Sequence, residues 1–126
     1  MKSYMIMYKK RILIFDDDEA ILDVLKTIFV ENGYEVAVSQ TSHNVVECTD
    51  GFQPDLILMD YLIPEIGGIE AITKLRTDEK LSNIPVILVS ASTNIVTIKN
   101  RSGANDYLKK PFDLWYLEAV VGKYLS

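Results

Sequence analysis

Five polar residues of this chain are marked by what precedes them. Asp16 and Asp17 follow the apolar block Ile12, Leu13, Ile14 and Phe15, and Asp60 follows Leu56, Ile57, Leu58 and Met59. Ser90 closes the run Val86, Ile87, Leu88 and Val89, and Lys110 comes just after Tyr107 and Leu108. Three carboxylates brought together repel one another unless a cation joins them. An all-oxygen donor set suits a hard ion such as Mg2+, which takes ligands at about 2.0–2.1 Å, keeps several waters and commonly uses one or two carboxylates plus a phosphate oxygen. One of the three is then available as a nucleophile, and the residue types leave open which. Aspartate attack on a phosphoryl group makes an acyl phosphate, a reaction that rests on positioning and on neutralising the transferred oxygens. The Lys110 ammonium suits that counter-charge, and the Ser90 hydroxyl offers a donor to a further oxygen.

For these residues to meet, the apolar runs must be neighbouring strands. Residues 12–15, 56–59 and 85–89 read as short strands buried on both faces, with 36–38 and 107–108 as briefer ones. Ile21, Val24, Leu25, Ile28 and Phe29 recur at helical spacing after the first strand, with Asp17 or Asp18 as N-cap and Gly33 as the stop. The polar stretch Thr41, Ser42, His43 and Asn44 leads into a weak helix ending near Gly51. Past Pro64, Gly67 and Gly68, a helical face of Ile69, Ile72 and Leu75 carries Arg76 near its end. A helix over 94–101 is weakened by β-branched Ile95, Val96, Thr97 and Ile98. Asp113 caps a last helix whose Leu114, Leu117, Val121, Tyr124 and Leu125 share a face, with Trp115 packed on or beside it.

Strand and helix alternate five times, which predicts an α/β fold: a doubly wound, five-stranded parallel sheet in the flavodoxin-like order 2-1-3-4-5 with five helices. Helices one and five are expected on one face, and two, three and four on the other. All five polar residues then fall at the carboxyl ends of strands, the edge at which open α/β sheets bind ligands.

Composition bounds the rest. The 126 residues, 48% hydrophobic and 25% charged, suit one domain with one core. The net charge of −5 argues against direct nucleic-acid binding, which needs clustered Lys and Arg. A lone Cys48 excludes an internal disulfide and suits a reducing, cytoplasmic setting. Met5, Ile6 and Met7 are too few for a signal-peptide core, and no run approaches the roughly 20 apolar residues of a membrane span. Residues 1–9 read as a ragged tail before a domain over 10–126.

Singly, each motif has a plainer reading. Acids from Asp16 to Glu19 suit any helix N-terminus, Ser90 would serve as a cap, Gly67 and Gly68 as a turn, and His43 as a surface residue. Together and in order they resemble the response-regulator receiver family over residues 11–125. In I-L-I-F-D-D-D-E the resemblance puts Asp16 and Asp17 on the family's acidic pair, with Asp17 the more direct metal ligand and Asp16 acting through water. In D-L-I-L-M-D-Y-L-I-P-E-I-G-G it puts Asp60 on the phosphoacceptor, the Leu62 carbonyl on a backbone metal ligand, and Pro64 and Gly68 on the proline and glycine that follow. In V-I-L-V-S-A and G-A-N-D-Y-L-K-K-P-F it puts Ser90 and Tyr107 on the switch pair, and Lys110 on the phosphate-facing lysine, with a cis bond to Pro111.

The resemblance implies Mg2+-dependent phosphorylation of Asp60 by a sensor histidine kinase or phosphotransfer protein, and control of an output protein it does not name. It implies a domain that promotes its own phosphotransfer and dephosphorylation without being a conventional enzyme. Two departures stand out: Gly67 replaces an acidic or polar residue, and the 20 positions from Ser90 to Lys110 are about two fewer than expected. The shortening falls in the fourth-helix region and leaves homodimerisation through that face open. A pseudo-receiver, acting only as an interaction module, is the alternative. A flavodoxin-like nucleotide binder would need a Ser/Thr/Gly-rich loop where the acids stand, and a Walker-type hydrolase lacks its motif.

Overall fold

A computed structural model describes residues 8–126. Met5, Ile6 and Met7, and most of the expected tail, lie outside the described residues. The chain runs β1 (Arg11–Phe15), α1 (Glu19–Glu31), β2 (Glu35–Ser39), α2 (Val45–Phe52), β3 (Leu56–Asp60), α3 (Gly67–Thr77), β4 (Val86–Ser90), α4 (Ile95–Ser102), β5 (Asp106–Lys109) and α5 (Leu114–Leu125). The strands form one parallel sheet in the order β2-β1-β3-β4-β5, as the alternation predicted.

The continuous apolar runs are explained by the two-residue pleat. Ile12, Ile14, Leu56, Leu58, Ile87, Val89 and Leu108 face Leu22, Leu25 and Phe29 of α1 and Leu117, Val120, Val121 and Leu125 of α5. The alternate residues Leu13, Phe15, Ile57, Met59, Val86 and Leu88 face Val45 of α2, Ala71, Ile72 and Leu75 of α3, and Ile98 of α4. Helices one and five therefore cover one face and the other three the opposite face, as expected. Among the described residues no helix is long and apolar enough to cross a membrane.

Two expectations for the last helix fail. Leu114 was assigned to the buried face but is 48% exposed, and Trp115, expected to pack, is 86% exposed. Leu117, Val120, Val121 and Leu125 already occupy the arc facing the sheet, and at 100° per residue Trp115 points away from it. Val24 of α1 is likewise exposed, while Leu22, absent from the predicted face, is buried. Of the two candidate caps for α1, Asp18 is the one used: its carboxylate accepts from the backbone N–H of Ala20 and Ile21.

The opposite, amino edge of the sheet is tied by one side chain. Arg76, at the end of α3, donates from Nε to the Gly103 carbonyl at 3.0 Å and from Nη1 to those of Ser82 and Ile84 at 3.1 and 2.7 Å. Its Nη2 donates to Asn105 Oδ1 at 2.7 Å, an oxygen that also accepts from the Val86 N–H.

Candidate functional site

The pleat carries the chemistry past the strand ends. Ile14 pairs with Leu58 and Phe15 with Met59, so Asp16 continues the row of Ile12 and Ile14 while Asp60 continues that of Leu56 and Leu58. Both carboxylates emerge on the α1/α5 side of the carboxyl edge. Lys110 continues the row of Leu108 and arrives from the other flank. Its Nζ lies 3.0 Å from Asp16 Oδ2 and 3.3 Å from Asp60 Oδ1, joining residues 94 and 50 positions apart.

Asp16 and Asp60 are 3% and 7% exposed, while Asp17 is open to solvent. One carboxylate oxygen from each of Asp16, Asp17 and Asp60 can be chosen so that all three lie within 4.8 Å of one another. Burial raises the pKa of the Asp60 carboxyl; Lys110 pulls it back, and the charges of Asp16 and Asp17 push it further up. Burial works against the Lys110 charge too, yet its hydrogen bond to Asp16 and the charges of Asp60 and Asp16 leave its pKa raised. The ammonium is thus fixed in its charged form, and the three acids carry more negative charge than one lysine offsets. The donor set, all carboxylate oxygen with one exposed member, fits a hard divalent cation.

Ser90 and Tyr107 sit elsewhere in the same edge. Leu88 pairs with Tyr107 and Ser90 with Lys109, so Ser90 and Tyr107 share the α4 side of the sheet, one pleat apart. Ser90 is buried, and its Oγ accepts from the Ser92 N–H at 3.0 Å; Ser92 Oγ in turn accepts from Asn94, the N-cap of α4. Lys110 N–H donates to the Ser90 carbonyl at 2.9 Å, and the Lys110–Pro111 bond is cis, as the resemblance implied. The structure therefore brings Asp16, Asp17, Asp60 and Lys110 into one cluster and sets Ser90 and Tyr107 on the α4 side of the sheet. Leu62 lies on the loop leaving Asp60 with its side chain exposed.

That loop is shaped by residues at both ends. The Gly68 N–H donates to the Tyr61 carbonyl at 2.9 Å, and a Cβ on Gly68 would stand 2.7 Å from the Asp60 carbonyl oxygen and 2.9 Å from Tyr61 Cα. Glycine is required there because the start of α3 lies directly against the backbone of Asp60. Ser42, a residue given no role by the sequence, is fully buried beneath the loop, with Oγ donating to the Pro64 carbonyl at 2.9 Å.

A doubly wound α/β domain with its polar residues gathered at the carboxyl edge defines the class, and comparison with known proteins defines the family. The response regulator receiver domain model matches residues 12–121, and the chain belongs to that family. It is 36% identical over 118 residues to the regulatory protein AtoC of Escherichia coli, covering 92% of this chain and 25% of that protein. It is 38% identical over 106 residues to the DNA-binding dual master transcriptional regulator RpaA of Synechocystis, covering 82% of this chain and 44% of that protein. The chain thus spans less than half of either relative. Among solved structures it resembles the receiver domain of Francisella response regulator 1452, at 32% identity and a TM-score of 0.82 over 93% of this chain and 97% of that one. It also resembles the receiver domain of the sensor histidine kinase PA1611 of Pseudomonas aeruginosa, whose structure has magnesium coordinated in the active site cleft, at 25% identity and a TM-score of 0.83 over 94% of this chain and 98% of that one. The chain is a receiver domain of the two-component type, a signalling module.

Proposed function

We propose that Asp60 is the phosphoacceptor of this receiver, that Asp16 and Asp17, with the Leu62 carbonyl, hold Mg2+ beside it, and that a sensor histidine kinase or phosphotransfer protein supplies the phosphoryl group. The observation that carries this reading is the convergence of Lys110 Nζ on Asp16 and Asp60 at 3.0 and 3.3 Å beside an exposed third carboxylate. An Asp60 carboxylate oxygen forms the new O–P bond as the donor's P–N or P–O bond breaks, the electron pair leaving with the donor. Lys110 holds a fixed positive charge beside the incoming oxygens, and Ser90, which follows Asp60's strand partner Val89, brings a hydroxyl as a further donor. When bound, Mg2+ supplies the remaining charge neutralisation.

Incubating the protein with Mg2+ and a small phosphodonor, then measuring intact mass, tests the reading. Wild type is expected to gain a phosphoryl group that base and hydroxylamine remove, and Asp60→Asn none. Asp17→Asn is expected to bind Mg2+ at least about 10-fold more weakly. Asp18→Asn, which alters only a helix cap, is expected to label like wild type. Labelling of Asp60→Asn at the wild-type rate would place the acceptor elsewhere, and an unlabelled wild type would favour the pseudo-receiver.

A further inference from the structure

We infer that Ser42 is a positioning residue for the phosphoacceptor loop, acting through the backbone of residues 64–66; the inference deepens the reading of Asp60 as acceptor. Ser42 Oγ donates to the Pro64 carbonyl at 2.9 Å and accepts from the Ile66 N–H at 3.3 Å, while the Ser42 N–H donates to the same Pro64 carbonyl at 3.2 Å. These bonds fall on either side of Glu65, whose φ of +85° lies in the left-handed region that non-glycine residues rarely adopt. One fully buried hydroxyl, used as both donor and acceptor, therefore holds the strained tip of the loop that carries Leu62 away from Asp60.

The segment bearing Ser42 also reaches the other acids. The Ser39 carbonyl accepts from the Asp16 N–H at 3.1 Å, and the Gln40 side chain donates to the Asp17 carbonyl at 3.4 Å. Residues 39–42 thus brace the Asp16 and Asp17 turn with one end and the Asp60 loop with the other. The spacing between the two halves of the acidic cluster is set through Ser42, from the β2–α2 connection, which contributes no ligand.

The test uses Ser42→Ala, Glu65→Gly and their combination in the full chain, with Mg2+ affinity measured by calorimetry and labelling rate followed against Mg2+ concentration. Ser42→Ala is expected to weaken Mg2+ binding about 10-fold and to raise the Mg2+ needed for half-maximal labelling in proportion, with the rate at saturating Mg2+ little changed. Adding Glu65→Gly is expected to restore affinity, because glycine takes the left-handed conformation without a staple. Wild-type Mg2+ affinity in Ser42→Ala, or a loss that Glu65→Gly leaves in place, overturns the inference. Ser42→Cys, similar in size with a weak donor and acceptor, gives the same reading if alanine fails to fold. Failure of wild type to label at Asp60 is a failure of the acceptor assignment alone, since Mg2+ affinity and its rescue are read without phosphoryl transfer.

Discussion

Asp60 shows how a residue's setting becomes a measurable property. Its carboxyl is harder to ionise in the folded chain than in the unfolded one, chiefly through burial. The folded state therefore binds that proton more readily, and the stability linked to it is present at acid pH and lost as pH rises through the folded-state pKa. Asp60→Asn, which cannot ionise, is expected to melt above wild type near neutral pH in metal-free buffer. The gap should close as pH falls; a gap that widens toward acid would contradict the assignment. Sequence alone singled out Asp60, Asp16 and Lys110, which the structure brings together, because each ends or follows an apolar run. It missed Ser42 because Ser42 matters through a contact 22 residues away, which no local periodicity records. Trp115 misled for another reason: hydrophobicity argues for burial, but only helical phase decides which arc of α5 faces the sheet.

At the scale of elements, the strands were legible because burial on both faces leaves an uninterrupted apolar run, whereas the start of α1 was left between two candidate caps, Asp17 and Asp18. The fourth helix is the informative case. It forms at Ile95–Ser102 although all of its first four residues are β-branched and the side chain of its N-cap, Asn94, makes no capping hydrogen bond. Its N-terminal approach is held by consecutive serine turns, Ser90 to Ser92 and Ser92 to Asn94. Residues 92–98 are therefore expected to exchange amide hydrogens faster than α1; equal protection would refute this. The same turns bear on the switch that the resemblance implies for Ser90 and Tyr107. If Ser90 rotates toward a phosphoryl oxygen it gives up the Ser92 N–H, and one charge-assisted hydrogen bond of about 1.5–3 kcal/mol sets the scale of the population shift. With beryllofluoride on Asp60 standing in for the acyl phosphate, Ser90→Ala should bind the analogue yet show a muted chemical-shift change at Tyr107. A full wild-type response in Ser90→Ala would remove Ser90 from the switch.

For the whole molecule, ion binding and folding are linked. Mg2+ at ten times its dissociation constant is expected to stabilise the fold by about 1.4 kcal/mol, and Asp17→Asn to lose most of that gain; urea melts with and without Mg2+ check both. The two ends of the sheet are built to respond differently. The carboxyl edge gathers like charges, a strained loop and serine turns, whereas at the amino edge Arg76 gathers three backbone carbonyls and Asn105 from the approaches to β4 and β5. By this build the domain is expected to respond as a reed clamped at its base, a displacement begun at Asp60 being greatest at the rim and dying out toward Arg76. A partner that reads the proposed phosphorylation of Asp60 is therefore expected to touch the rim, and one bound only near the base to hold the domain without sensing it.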